Sequence, residues 1–347
     1  MITFLRWILL PFSLIYQLII WIRNLLYDKE FFKSQSFSIP TIVIGNLAIG
    51  GTGKSPMTEY LVRLLKDHYK ISTLSRGYGR KTKGFRFVDT TSKAIEVGDE
   101  PLQFKRKFPE ITVAVSEDRC KAVQVLKATH EIIILDDAYQ HRKLKAGLSI
   151  LLFDYNSLFK PILTLPTGDF RDIFSSTKRA NLIIITKCPD EIPSHKKAHI
   201  EHIIRKHSIS PIFYTRIGYD RPRNLQQEQY TGDLSNLEIV LFCGIANPDP
   251  LVNYLLAKGN NVHLIKFTDH HNYSSTDFEK VLKQYYNIAG NNKLILTTEK
   301  DLQRVDKSTF ADVPFFYIPI HLKMAEDQQA TFDHFIENYI SKFPKIA

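Results

Sequence analysis

Residues 45–56 read Gly-Asn-Leu-Ala-Ile-Gly-Gly-Thr-Gly-Lys-Ser-Pro, directly after the apolar run Ile39–Ile44. A strand, a glycine-rich turn and then Lys54-Ser55 opening a helix is the layout of a phosphate-binding P-loop. Glycine lets backbone N–H groups approach an anion closely. The helix N-terminus adds unpaired donors and a favourable dipole. Gly50, Gly51, Thr52, Gly53, Lys54 and Ser55 are therefore the expected nucleotide-binding residues. Lys54 would reach the β- and γ-phosphates, and the Ser55 hydroxyl would hold Mg²⁺. The pattern departs from G-x-x-x-x-G-K-[ST] at one position, where the first glycine is Ala48.

A second carboxylate-bearing strand follows. Ile132-Ile-Ile-Leu-Asp-Asp137 would deliver Asp136 or Asp137 to the C-terminal edge of a sheet, where such sheets bind ligands, opposite Ser55. Gln140 and His141 come next and could face the same site. Between these motifs, Asp99-Glu100-Pro101 offers two carboxylates that could divide the work. One would accept a proton from a substrate hydroxyl while the other helps the metal. A helix cap is the plainer reading of an Asp at that place. Arg76 and Arg80 sit in a glycine-containing strand-end loop, and Arg171 near the end of a turn; guanidinium forks suit phosphate. Asp269-His270-His271 follows a later strand. No Asn-Lys-x-Asp tetrapeptide for reading guanine is present, which favours ATP over GTP.

These motifs need a scaffold. Short apolar runs at Ile71–Leu74, Ile111–Val115, Ile132–Leu135, Ile150–Phe153 and Leu182–Thr186 alternate with helical patterns such as Met57–Tyr69 and Arg119–Ala128. That alternation predicts a mostly parallel sheet covered by helices, an α/β fold. From Glu238 the pattern restarts as a second, smaller α/β unit without a dinucleotide fingerprint. The expected divisions are 1–28, 29–215 and 216–327, with a closing helix over 328–347 packing back on the first unit.

Residues 1–28 form a greasy helix in which Arg6, Ser13, Gln17 and Asn24 fall within an arc of about 40° at ~100° per residue. Between Arg6 and Arg23 it would extend about 24 Å, short of a ~30 Å hydrocarbon core. Trp7, Tyr16, Trp21 and Tyr27 suit the headgroup region. An interfacial, monotopic anchor is the reading; a signal-anchor span and a helix buried in the protein's own core are the alternatives. Pro11 should kink or restart it.

The 44% apolar and 24% charged fractions are those of a globular chain. Three scattered cysteines fit a reducing compartment. The formal charge of +10, without interleaved basic and aromatic runs, points to a membrane surface or anionic substrate rather than nucleic acid.

Together these residues resemble the tetraacyldisaccharide 4′-kinase family of the lipid A pathway. The likeness covers most of the chain. It runs from the apolar N-terminus through Gly45-Asn46 and the P-loop, Ser75–Arg80, Asp99–Pro101 and Leu135–His141. It continues through Leu165–Arg171, Gly244–Pro248, Asp269-His270 and Thr298–Asp301. The resemblance implies two Rossmann-like, P-loop α/β/α units around a nucleotide cleft, with ATP and Mg²⁺ as cofactors. It implies γ-phosphate transfer to the 4′-hydroxyl of a lipid-linked glucosamine disaccharide 1-phosphate. It places the chain on the cytoplasmic face of the inner membrane, with no obligate protein partner. Carried over, Asp99 is the base, supported by His270, and Lys54 stabilises transferred charge. Ser55, Glu100 and Asp136 or Asp137 serve the metal. Arg76, Arg80, Arg119, Gln140 and Arg171 are the candidate substrate contacts. Three places depart from the family pattern: Ala138, the glycine-poor stretch Phe153–Thr164, and Asp169-Phe-Arg-Asp172. A membrane-bound P-loop ATPase switch is the competing reading.

Overall fold

The computed structural model describes residues 4–269 and 271–344. The chain forms two compact units, Met1–Ile217 with Leu322–Ala347, and Gly218–His321. The first is built on strands β1 (Thr41–Asn46), β2 (Ile71–Ser75), β3 (Arg86–Phe87), β4 (Thr112–Val115), β5 (Ile132–Asp136), β6 (Leu148–Asp154), β7 (Leu182–Thr186) and β8 (Ile212–Tyr219). The second carries β9 (Glu238–Cys243), β10 (Asn261–Lys266), β11 (Lys293–Thr298) and β12 (Phe315–Ile318). The chain returns to the first through β13 (Ile320–Met324).

The larger sheet has the order β13-β8-β7-β6-β1-β5-β2-β4-β3. Its central strands pair in parallel. Every residue of β1, β5 and β7 is buried, as expected of unbroken apolar runs covered on both faces. Ile42 and Ile44 point into one core with Met57, Leu61 and Phe332. Val43 and Leu47 point into the other with Leu135, Leu151 and Phe153. The closing helix Glu326–Ile340 belongs to the first of these layers. There Phe332 meets Tyr60 edge-on, and the Tyr60 hydroxyl donates to Asp333 at 2.7 Å. Strand β8 falls within residues 190–235, which lack a long periodic pattern, and β3, β12 and the bridging strand β13 were likewise not expected from sequence.

The smaller unit has a four-stranded sheet, β10-β9-β11-β12, all parallel. Its helix Ser275–Asn287 starts at a capping box made by Ser274 and Asp277.

The N-terminal segment is broken near Pro11 into helices Phe4–Ile8 and Leu10–Asp28. Its polar stripe does not face outward. Ser13 and Asn24 are 3% and 6% exposed and bind the body of the first unit. Ser13 Oγ donates to Thr167 Oγ1 at 2.8 Å and accepts from the Thr167 N–H at 2.9 Å. Asn24 Nδ2 donates to Asp172 Oδ1 at 3.0 Å, and Tyr16 donates to the Arg171 carbonyl at 2.9 Å. Arg6 pairs with Asp169, while Gln17 is exposed. Most of what remains outside is apolar: Ile8, Phe12, Leu14, Ile15, Leu18, Ile19 and Trp21 are all exposed. Leu10–Asp28 is long and apolar enough to cross a bilayer by length and composition, and only 11% of its apolar window is buried.

Asn24→Leu makes this helix more apolar but removes a buried donor to Asp172. It should cost about 1–3 kcal/mol by the usual penalty for an unsatisfied buried group. Urea unfolding of the detergent-solubilised protein measures it, and an unchanged midpoint would show that the stripe does not hold the helix.

Candidate active site

The phosphate loop leaves the end of β1 and re-enters as the helix Lys54–Leu65. Gly53 immediately precedes that helix at φ +84°, a left-handed conformation that suits glycine. The outer side of the loop is held by β7, whose Thr186 Oγ1 donates to the Thr52 carbonyl at 2.8 Å. Ala48–Thr52, Asp154, Lys160 and Lys187 line a cavity of about 200 Å³ against this side.

The neighbouring strand β5 is in register with β1, Ile44 opposite Asp136. This register brings the carboxylate pair beside the loop. Asp137 then adopts φ +50°, a left-handed turn that Asp tolerates better than most residues. Asp136 is 2% exposed and its Oδ1 lacks a hydrogen-bond partner. Burial pushes its pKa up to about 7, with the nearby Glu100 charge adding and Lys54 opposing. Asp137 goes the other way. Burial would raise it, but the Arg171 fork and the charges of Lys54 and Arg119 outweigh that and hold it below the ordinary carboxylate value. Arg171 grips both Asp137 oxygens, one at 3.2 Å and the other closer, and Lys54 Nζ lies 3.9 Å away.

Asp99 and Glu100 open the helix Asp99–Lys107, directly after Gly98 at its N-cap. Ser55 Oγ donates to Glu100 Oε1 at 3.2 Å, which joins this helix to the phosphate loop. Gly98 holds φ +94°, and a Cβ there would lie 2.9 Å from the Tyr78 carbonyl. Glycine is thus required for the loop Ser75–Arg80 to lie against the start of the acidic helix.

The candidate substrate arginines separate into different roles. Arg76 is exposed. Arg80 is taken up by Glu117 at 2.6 Å and the Gly84 carbonyl at 2.8 Å, as a strut within its own loop. Arg119 is buried and donates to the Ser116 carbonyl at 3.0 Å. Its pKa falls through burial and the nearby Arg76, against the pull of Asp137 and Asp136. Gln140 Nε2 donates to the Asn46 carbonyl at 2.7 Å, and its own carbonyl accepts from Arg23 at 2.7 Å. His141 is half-buried, and burial followed by the Arg119 charge lowers its pKa to about 4. His270 lies outside the described residues. Its neighbour His271 bonds Asp277 at 3.0 Å within the smaller unit.

Mg²⁺ fits this donor set. Asp136 presents a buried, unpartnered oxygen, and Ser55 and Glu100 are already in contact. Among the described residues no three His, Cys, Asp or Glu side chains form a complete metal cage. Mg²⁺ in nucleotide sites takes only one or two carboxylates, completing its shell with phosphate and water.

Asn46 enters the sequence reading only as part of the family pattern and Tyr16 only as a headgroup-region aromatic, and neither as a site residue. The signal for Asn46 was a polar residue closing a run of buried strand positions, where its hydrogen-bonding groups must find partners.

A phosphate loop on one strand and a carboxylate pair on the parallel neighbour define a P-loop nucleotide-binding protein. A model of the family described as tetraacyldisaccharide-1-P 4′-kinase matches residues 5–341. The tetraacyldisaccharide 4′-kinase of Flavobacterium johnsoniae is 41% identical over 342 residues, 97% of this chain and 98% of that protein. That of Bacteroides thetaiotaomicron is 37% identical, over 96% and 93% of the two chains. The "apo" form of LpxK from Aquifex aeolicus in complex with ATP superposes with a TM-score of 0.76 at 30% identity, covering 97% and 99%. The chain belongs to the tetraacyldisaccharide 4′-kinase family.

The Asp137–Arg171 pair gives a pH prediction. A carboxyl held low in the folded state adds stability above its unfolded pKa, about 3.9, and loses it as pH falls through the folded value. Arg171→Gln should therefore be less stable than wild type at pH 7, by a margin that shrinks below about pH 4. Chemical unfolding at pH 7, 5, 4 and 3 tests this, and a margin independent of pH would count against the pairing.

Proposed function

We propose that this chain transfers the γ-phosphate of ATP to the 4′-hydroxyl of a tetraacylated glucosamine disaccharide 1-phosphate, forming lipid IVA. Family membership across residues 5–341 carries this reading, and the carboxylate and cation arrangement at the ends of β1 and β5 supports it. In the step, the 4′-oxygen bonds to the γ-phosphorus, the bond to the β–γ bridging oxygen breaks, and ADP leaves. Asp99 accepts the hydroxyl proton, with His270 supporting it. The P-loop amides and Lys54 hold the phosphates and balance the charge that spreads over the transferring group. Ser55, Glu100 and Asp136 would hold Mg²⁺, which supplies charge neutralisation between the phosphates when bound. Asp137 is the less suitable ligand of the adjacent pair, since Arg171 already occupies both its oxygens.

The acceptor is a lipid, so the enzyme must work at the bilayer surface. We place it on the cytoplasmic face of the inner membrane, lying on the bilayer through the exposed apolar side of Leu10–Asp28. Supporting this, the helix shows its polar stripe to the protein and its apolar residues to the outside. A groove of about 470 Å³ between Leu14, Leu18 and Trp21 of that helix and Ile173–Ser175 offers room for an acyl chain. Arg76, Arg119 and Arg171 supply positive charge toward a 1-phosphate.

Transfer of labelled γ-phosphate from ATP to the disaccharide 1-phosphate in mixed micelles tests the reading. Wild type should label the lipid. Asp99→Ala should lose about 10²–10⁴-fold in rate, the span of general-base catalysis, yet still bind ATP. Phosphate released to water without labelled lipid would favour an ATPase switch. Equal loss of ATP binding in Asp99→Ala and Lys54→Ala would remove Asp99 from the role of base. For the membrane contact, the Leu18→Glu, Trp21→Glu double variant should sediment with anionic vesicles far less than wild type, at an unchanged melting temperature. Undiminished sedimentation would rule out this face.

A further inference from the structure

Asn46 ends β1 and is 1% exposed. Its side chain makes four contacts that divide by chemistry. The amide nitrogen donates to the Ala48 carbonyl at 2.7 Å and to Thr52 Oγ1 at 2.8 Å, both inside the phosphate loop. The side-chain oxygen accepts from Lys54 Nζ at 3.5 Å and from Arg171 Nη2. The backbone oxygen of the same residue accepts from Gln140 Nε2 at 2.7 Å.

The orientation of this amide is fixed by its partners. Only a donor can face the Ala48 carbonyl, and only an acceptor can face two cations. Asp cannot supply the donor, and an aliphatic residue supplies neither. Asn46 thus sits between two groups of residues with different tasks. Thr52 and Lys54 belong to the phosphate loop. Arg171 and Gln140 belong to the elements that reach the N-terminal helix through Tyr16 and Arg23. Asp137 forms a second bridge between the same two cations, contacting both Lys54 and Arg171.

We propose that Asn46 is a positioning residue that sets the spacing between Lys54, on the transferring phosphate, and Arg171, on the acceptor side. This rests on the reading of Lys54 as the nucleotide-side lysine. Asp137 approaches Lys54 less closely, at 3.9 Å, than the Asn46 oxygen does at 3.5 Å. A carboxamide oxygen accepting from both cations adds direction without adding charge. Loss of it lets Lys54 drift by a fraction of its reach, and small misplacements of this kind are costly in phosphoryl transfer.

The test compares Asn46→Leu, which keeps the volume and drops all four side-chain contacts, with Asn46→Asp, which keeps the acceptor alone. Lipid phosphorylation is measured with both substrates varied, beside equilibrium ATP binding and the melting temperature. Asn46→Leu should lower kcat about a hundredfold, the cost of a misplaced group. Asn46→Asp should keep kcat within about tenfold while raising KM for ATP, since a carboxylate facing the Ala48 carbonyl loosens the loop. A purely structural role predicts instead that both single variants lose melting temperature and active fraction together, with unchanged kcat per folded enzyme. That result overturns the proposal, as does a kcat for Asn46→Leu within about threefold of wild type. If Asn46→Leu does not fold, Asn46→Asp decides. A kcat within about tenfold together with a raised KM for ATP supports the proposal, and failure of either overturns it. Absence of transfer by wild type would overturn the enzymatic reading and this proposal with it, whereas transfer by wild type with Asn46→Leu unimpaired would overturn the proposal alone.

Discussion

Two carboxylates side by side at the end of a buried strand repel one another, and much of the first unit is arranged around that constraint. Asp136 and Asp137 cannot both be charged in an apolar surround without compensation. The structure resolves the conflict by turning the backbone. Asp137 takes a left-handed conformation that directs its carboxylate to Arg171 and Lys54, while Asp136 stays buried beside Glu100. One carboxylate is thereby compensated by Arg171 and Lys54, and the other keeps a buried oxygen without a hydrogen-bond partner. The opposite shifts of the two pKa values express that division.

The same network reaches the N-terminal helix. Arg171 is oriented by Asp137 and Asn46 at its tip, while its backbone carbonyl accepts from Tyr16. Asp172, next in sequence, is buried and accepts from Asn24, Ser176 and Arg179. The segment Asp169–Asp172 is therefore a joint with two sides, one toward the phosphate loop and one toward the apolar helix. A helix with an outward apolar face can be kept on a water-soluble body only if its few polar groups bind that body. Ser13, Tyr16 and Asn24 do so, which reconciles firm attachment with an exposed apolar surface.

Much of this was legible in the residues. The P-loop spacing and the apolar runs of β1, β5 and β7 are local patterns with local causes. The polar stripe of the N-terminal helix was visible too, but periodicity gives a stripe's position and not its partner. Thr164–Asp172, which receives it, lies more than a hundred residues away in the chain. The strands β8 and β13 were hidden for a related reason, since edge positions and chain returns depend on tertiary pairing more than on alternation. Arg80 shows a further limit. A basic residue in a glycine-rich loop suits an anion site; one of its nitrogens is held by Glu117, a residue whose proximity no spacing rule reports.

Asn46 sits where these two kinds of information meet. Its place before the phosphate loop is a sequence fact, whereas its partners Arg171 and Gln140 come from distant segments brought together by the sheet order. Strand β1 is the common neighbour of β5, which carries the acidic pair, and of β6, which leads toward the Thr164–Arg171 turn. A polar residue at the exit of that strand is within reach of both. Any side chain there must satisfy donors and acceptors on opposite sides, in a place closed to water. A carboxamide meets the condition without adding to the charge of a site that already holds two carboxylates and two cations. The chemistry at this position is therefore constrained by the topology of the sheet as much as by the phosphate loop it introduces.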